Sequence, residues 1–291
     1  MTALAVLRAG PLTTVQDLGR PGLAALGVSG SGALDRGALR LGNRLVGNDE
    51  GAAALEITVG GFSGVVDRDV WIAGTGAWGP VTLGNRAIDP NHPVFAAAGT
   101  PIEIGVATFG LRYYLAVSGG VAVPSVLGSR SRDILSGIGP PPLLDGDTVP
   151  IGSPRTGAIP ALDVAPWSPP DPETVTVPLH AGPRESWFTP ASLDLLFSEP
   201  WTLGSASNRV GARLEGPVLE RSAAGEGELP SEGMVAGALQ VPPSGQPTVL
   251  LADHPTTGGY PVIGAVASAA LDVFAQLRPG QRVRFRHARP L

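Results

Sequence analysis

The chain has 291 residues, 43% of them hydrophobic and 15% charged, with a net charge of -5 and no cysteine. That balance describes a folded chain long enough for two domains of ordinary size. It excludes disulfides, a thiol nucleophile and cysteine-ligated metals, and an acidic surface disfavours nucleic acid as a partner.

The sequence contains no lysine, so all 20 Lys+Arg positions are arginine. This rules out a P-loop lysine, a Schiff-base lysine and a biotinylated lysine on this chain. Arginine remains available as a bidentate clamp for carboxylate or phosphate. No apolar run reaches the roughly 20 residues of a membrane helix. The first residues lack the basic start of a secretory signal, so a cytoplasmic protein with no membrane partner is expected.

The 41 glycines and 30 prolines punctuate short runs rich in valine, isoleucine and leucine, such as 70–73, 102–106 and 113–117. Frequent turns between short strands predict a mainly β fold of barrel or sandwich type. In chain order, the first polar block is TTVQDLGR at 13–20. It sets Asp17, Gly19 and Arg20 on a tight turn, with Arg20 biased to extended backbone by Pro21. A glycine-rich piece at 27–32 then leads into a helix predicted over 33–46. Leu34, Ala38, Leu41 and Leu45 share one face of it, and Asp35 lies in its first turn. Glycine-rich backbone before a helix can cradle an anion, or can be simply a turn and a helix entry.

Residues 74–79 match G-x-G-x-x-G, but a strand-like stretch follows in place of a helix, so a β-turn is expected and no dinucleotide site. Residues 143–151 resemble 277–285, each a glycine turn entering an alternating strand with Val283 and Phe285 facing inward in the second copy. Residues 152–173 are dense in proline and read as a linker. A helix is predicted after Thr189-Pro190, with threonine as cap, and another near 270–276. At 207–213 the even separation of Arg209 and Arg213 places both on one side of an extended segment, which suits a carboxylate or phosphate.

The block 253–261 follows an apolar run. It combines Asp253, Thr256, Thr257, Gly258, Gly259 and Tyr260, which suits an anion held close to backbone, or equally a polar turn. His92, His180, His254 and His287 show no metal-ligand spacing, and no metal site is expected. No G-x-S-x-G elbow is present.

Taken together, residues 13–20, 27–35, 43–48, 55–61, 114–120, 127–132, 207–216, 231–242, 253–261 and 276–285 resemble the family of C-type 5-oxoprolinase subunits. That family also goes under the names KipA, allophanate hydrolase subunit 2 and biotin-dependent carboxyltransferase. The resemblance implies two cyclophilin-like β-barrel domains with a few short helices, at 1–151 and 174–291, with the active site in a cleft between them. It implies an ATP-hydrolysing enzyme that opens 5-oxoproline to glutamate, using ATP with magnesium in the assembled complex. The implied partners are a KipI-type subunit and a LamB/YcsF-type subunit, and the chain alone is expected to be inactive.

The family positions carried over as catalytic are Asp17, Arg20, Thr256 and Thr257. Those carried over as substrate-binding are Ser31, Asp35, Asn43, Glu56, Asn208, Arg209, Arg213, Gln240, Asp253, Gly258, Gly259 and Tyr260. Arg20, Arg209 and Arg213 would clamp anions, the threonines would donate to phosphate or carbonyl oxygen, and Asp17 would orient. The sequence departs from the family at His254-Pro255, where Arg-Gln is common, and at Val262, where lysine is common. The alternative readings are a carboxyltransferase that uses biotin held elsewhere and acts on urea or a related amide, and a regulatory protein that binds a kinase inhibitor.

Overall fold

The computed structural model describes residues 2–154, 159, 173–225 and 227–289. The proline-rich linker expected over 152–173 lies mostly outside these residues. The chain divides into two compact units. The first comprises Met1–Arg20, Ser31–Asp133 and Gly137–Pro169. The second takes Pro170–Leu291 together with two short pieces of the first half, Pro21–Gly30 and Ile134–Ser136.

The strands of the first unit run β1 (Thr2–Arg8), β2 (Leu12–Gln16), β3 (Ala54–Thr58), β4 (Phe62–Val66), β5 (Val70–Trp78) and β6 (Val81–Leu83). They continue with β7 (Arg86–Ala87), β8 (Pro93–Ala96), β9 (Pro101–Ile104), β10 (Phe109–Val117) and β11 (Thr148–Ile151). They form a six-stranded sheet in the order β11-β1-β4-β9-β6-β7 and a five-stranded sheet in the order β2-β3-β10-β5-β8. Alternate side chains explain how the two sheets share one core. Leu55 and Ile57 on β3 and Tyr113, Leu115 and Val117 on β10 join Leu4, Phe62, Ile102 and Ile104 of the other sheet in a single buried cluster.

The opposite face of the five-stranded sheet is also buried. Helix α1 (Arg36–Leu45) packs there, joining Ala38, Leu39 and Leu45 to Ala54, Ala73, Tyr114 and Ala116. The helix starts later than the apolar periodicity predicts, because Asp35 is its N-cap and accepts from the Ala38 N–H at 2.7 Å. Gly42 permits the close approach: a Cβ there would sit 3.2 Å from both the Ala116 Cβ and the Thr75 hydroxyl. Arg40 and Arg44 reach outward to Glu50.

Residues 74–79 are not a turn as expected. The segment to Trp78 is β5, and β6 follows directly.

The second unit is a closed barrel of β12 (Thr174–Ala181), β13 (Trp201–Leu203), β14 (Gly211–Glu215), β16 (Ala238–Gln240), β17 (Thr248–Leu250), β19 (Val262–Val266) and β20 (Arg282–His287). The parallel pair β12–β20 closes the ring, and the neighbouring pairings are antiparallel. β15 (Glu232–Gly233) and β18 (Thr257–Gly258) form a separate two-stranded ribbon. Helices α2 (Pro190–Ser198), capped by Thr189, and α3 (Leu271–Gln276) occupy the predicted places.

The internal repeat is visible in the hydrogen bonds. In the first copy Asp147 N–H donates to the Leu144 carbonyl at 3.1 Å, while Leu144 N–H donates to the Asp147 carboxylate at 2.8 Å. In the second, Gln281 N–H donates to the Arg278 carbonyl at 3.1 Å, and Arg278 N–H donates to the Gln281 side-chain oxygen at 2.7 Å. Gly146 and Gly280 both stand at positive φ, 89° and 90°, which glycine adopts without steric cost. Val149 and Ile151, like Val283 and Phe285, are buried.

Candidate functional site

The turn after β2 is organised by Asp17. Its Oδ1 accepts from Gly19 N–H at 2.7 Å and from the Ser129 and Ser131 hydroxyls at 2.6 Å each, and its Oδ2 accepts from Arg130 N–H at 2.7 Å. Four donors hold this buried carboxylate in place, so the geometry gives Asp17 the part of a positioning group instead of the catalytic one expected. Its task is to hold segment 129–131 against the turn that carries Arg20.

Arg20 itself is buried. Its Nη2 donates to the Ser131 carbonyl, while Nε and Nη1 are closed off from solvent with no hydrogen-bond partner among the described residues. A buried cation in that condition is where an anion is favoured. Ser31 stands beside this segment at φ 49° and donates to the Arg132 carbonyl at 3.2 Å.

Three other positions expected to bind substrate are held by the scaffold instead. Glu56, on the helix side of β3, accepts from the Tyr114 hydroxyl at 2.7 Å and from Leu34 N–H at 3.1 Å, and lies 3.7 Å from Arg112 Nε. The Tyr114 hydroxyl in turn accepts from Asp35 N–H at 2.8 Å. Burial first, and then the charges of Glu56 and Asp35, push the Tyr114 phenol well above its ordinary pKa. Asp35 and Glu56 therefore dock the start of α1 onto the sheet.

Asn43 donates to the Glu50 and Ala52 carbonyls and accepts from Asn48 at 3.0 Å, which ties the end of α1 to its following loop. The partners of Asn43 are local, whereas Tyr114 lies 58 residues from Glu56 and 79 from Asp35, where no motif signals it.

In the second unit Arg209 and Asp253 are committed to each other. Nε to Oδ2 is 2.8 Å and Nη2 to Oδ1 is 3.0 Å, with both side chains buried. Asp253 also accepts from Ile134 N–H at 3.0 Å. The expected clamp role of Arg209 is thus revised to a structural one, and Asp253 with it. Arg209 and Arg213 do not share a side, because the chain bends at Arg209 and Val210 and β14 begins only at Gly211. The Asn208 side-chain oxygen accepts from Val210 N–H at 2.8 Å and turns the chain before β14 begins.

What the second unit does bring together is a cleft of about 470 Å³. Asn208, Arg213, Gln240 and Tyr260 all line it, alongside Thr248 and Pro255. Arg213 points outward from β14, and its guanidinium makes no side-chain hydrogen bond or ion pair among the described residues. The Gln240 amide, the Asn208 amide nitrogen and the Tyr260 hydroxyl are likewise uncommitted among those residues. Arg213, two amides and a phenol share these walls with the Glu215 carboxylate, a set that can hold a small molecule carrying both a carboxylate and an amide. Thr248, one strand over, is missed by sequence reasoning because nothing distinguishes it from any other strand threonine.

Thr257 and Gly258 lie on the β15–β18 ribbon, with Thr257 exposed. The Thr256 carbonyl accepts from Met234 N–H at 2.9 Å. Gly258 lies against Met234 and Gly259 is exposed. The ribbon is anchored by an Arg184–Glu232 ion pair, with Arg184 also over the Trp187 ring at 5.4 Å. His254 donates from Nδ1 to the Pro255 carbonyl at 2.8 Å, since a carbonyl can only accept.

Residues 26–287 match the family described as the carboxyltransferase domain, subdomain A and B. The chain is 41% identical over 287 residues to the C-type subunit of 5-oxoprolinase from Escherichia coli (strain K12), covering 97% of this chain and 90% of that protein. It is 32% identical to the urea amidolyase of Saccharomyces cerevisiae, spanning 98% of this chain but 16% of that enzyme. The crystal structure of the K. lactis urea amidolyase superposes with a TM-score of 0.90 at 30% identity, covering 98% of this chain and 18% of that one. The chain therefore belongs to the carboxyltransferase A and B domain family, which includes the C-type subunits of 5-oxoprolinase.

Proposed function

We propose that the chain acts as the C-type subunit of an ATP-dependent 5-oxoprolinase, opening 5-oxoproline to glutamate together with a KipI-type and a LamB/YcsF-type subunit. The observation that carries this reading is collinearity with the E. coli protein over 90% of its length, whereas each urea amidolyase match takes in a minor part of a much longer enzyme.

The second unit's cleft fits the substrate's chemistry. Arg213 takes the carboxylate, and the amides of Gln240 and Asn208 pair with the lactam N–H and carbonyl. ATP, as co-substrate, supplies a phosphoryl group to the lactam oxygen. Water then adds at the activated carbon, the ring C–N bond breaks, the nitrogen takes up a proton, and phosphate leaves. Within the second unit the Thr256 and Thr257 hydroxyls are the donors on offer to developing negative charge, and Arg20 is a separate anion-favouring position of the first unit.

The test is glutamate release from 5-oxoproline and ATP, with the chain added to or omitted from the partner subunits. Arg213→Ala should raise the KM for 5-oxoproline, and Thr257→Ala should lower turnover. Undiminished turnover without the chain, or wild-type kinetics in both variants, would remove the proposal.

A second reading follows from the urea amidolyase relatives: carboxyl transfer from biotin to urea or a related amide. With no lysine here, the biotin would have to sit on another protein. Urea-dependent ATP turnover with an added biotin carrier would favour it. Tight binding of a kinase inhibitor without any turnover would favour a regulatory role.

A further inference from the structure

We propose that the outer seam of the second unit's barrel carries an anion site for a small phosphate-bearing ligand, built from His180, Arg286 and Arg289. A depression of about 480 Å³ is lined by these three residues together with Pro178, Ala267 and Ala288. Among the described residues every charged or titratable side chain on its walls is basic, and no carboxylate lines it.

The fold explains how the bases come together. β12 and β20 run parallel with Pro178 opposite Arg286. Strand alternation sends Val283 and Phe285 into the barrel and Arg282, Arg284 and Arg286 outward. The backbone around the depression is fixed: Ala267 N–H donates to the Pro178 carbonyl at 3.0 Å, and Ala288 N–H to the Leu179 carbonyl at 2.9 Å.

The charges on these walls are not spent on the protein. Arg284, the next outward arginine, donates to the Ser198 carbonyl at 3.0 Å and serves the scaffold. Arg286 has only a 3.5 Å approach to the His287 carbonyl, longer than an ordinary N–H···O bond. His180 and Arg289 make no side-chain hydrogen bond or ion pair among the described residues. In a chain of net charge -5, gathering bases without an acid is repulsive, and a bound anion relieves that repulsion. Two guanidinium forks and an imidazole offer more donors than one planar carboxylate can accept, which favours a tetrahedral phosphate group. The apolar wall of Pro178, Ala267 and Ala288 leaves room for an organic substituent.

This depression shares no lining residue with the Arg213 cleft, and the inference does not rest on the function proposed above. Inorganic phosphate titrated into the full chain, followed by amide NMR, tests it. Saturable shifts are expected at Ala267, Ala288 and His180, with a dissociation constant on the order of 1 mM. Arg286→Gln with Arg289→Gln should weaken binding at least about tenfold, while Arg213→Ala leaves it unchanged. Should the double variant lose its barrel, Arg289→Gln alone, beyond the end of β20, carries the same test. Shifts that never saturate, equal affinity in the arginine variants, or loss of binding in Arg213→Ala would overturn the site.

Discussion

Replacing Arg209 with alanine should act on the stability of the second unit before it acts on any ligand. The guanidinium occupies both carboxylate oxygens of Asp253 at 2.8 and 3.0 Å, and both side chains are almost wholly buried, at 1% and 0% exposure. Removing one partner leaves a buried carboxylate without its counter-charge, though still accepting from Ile134 N–H, a loss of about 3–5 kcal/mol. For a unit of this size that corresponds to a fall in Tm of roughly 10–20 °C. Near-ultraviolet circular dichroism follows it directly, since Trp201 lies in the same barrel core. The paired substitution Arg209→Met with Asp253→Leu should recover most of the loss. About 1–3 kcal/mol would remain for the Ile134 N–H left without its acceptor. An unchanged Tm in Arg209→Ala, accompanied by lost activity, would refute the reasoning and restore Arg209 as a ligand clamp.

Other outcomes are equally specific. Asp17→Ala removes an acceptor of four hydrogen bonds and should destabilise the first unit by about 2–4 kcal/mol, read by chemical denaturation. Tyr114 keeps its proton in the folded chain above the pH near 10 at which the unfolded tyrosine loses it. Stability should therefore be complete below about pH 10 and decline above it, with a shallower decline in Tyr114→Phe, measured by denaturation across that range. Gly32→Ala places a Cβ 2.8 Å from the Gly19 nitrogen and 3.1 Å from the Asp17 carbonyl oxygen at φ +96°. The strained turn should show as faster hydrogen exchange at Gly19 and Arg130. Arg184→Ala should release the β15–β18 ribbon, seen as new proteolytic cleavage near Thr257 while the barrel's Tm holds.

The elements that are legible in the sequence are those written in local chemistry. Thr189-Pro190 marks a cap and a first helical turn, and α2 begins there. The glycine turns before β11 and β20 can be matched by eye, and their hydrogen bonds coincide position for position. Asn208, Arg213, Gln240 and Tyr260, drawn from three separate stretches of sequence, line one cleft. What stays hidden depends on distant partners. Nothing near Glu56 announces Tyr114, and nothing near Arg209 announces Asp253, so buried structural charges look the same as binding charges. Asp35 reads as part of the first helical turn, and not as the cap it is, because apolar periodicity runs on through the residues that precede a cap.

The Arg209–Asp253 clasp has a consequence for how the neighbouring cleft meets a ligand. Asp253 N–H also donates to the Arg209 carbonyl at 3.0 Å, so backbone and side chains fasten the same two loops. Asn208 sits one residue before this fastening and Pro255 two residues after it, and both line the cleft. Those walls are held in place before anything binds, and little ordering entropy is left to lose on association. Calorimetry should therefore find that weakening the clasp by Asp253→Asn makes the entropy of binding less favourable while the heat released changes little. A residue that never touches the ligand would then register as an affinity residue, through order alone.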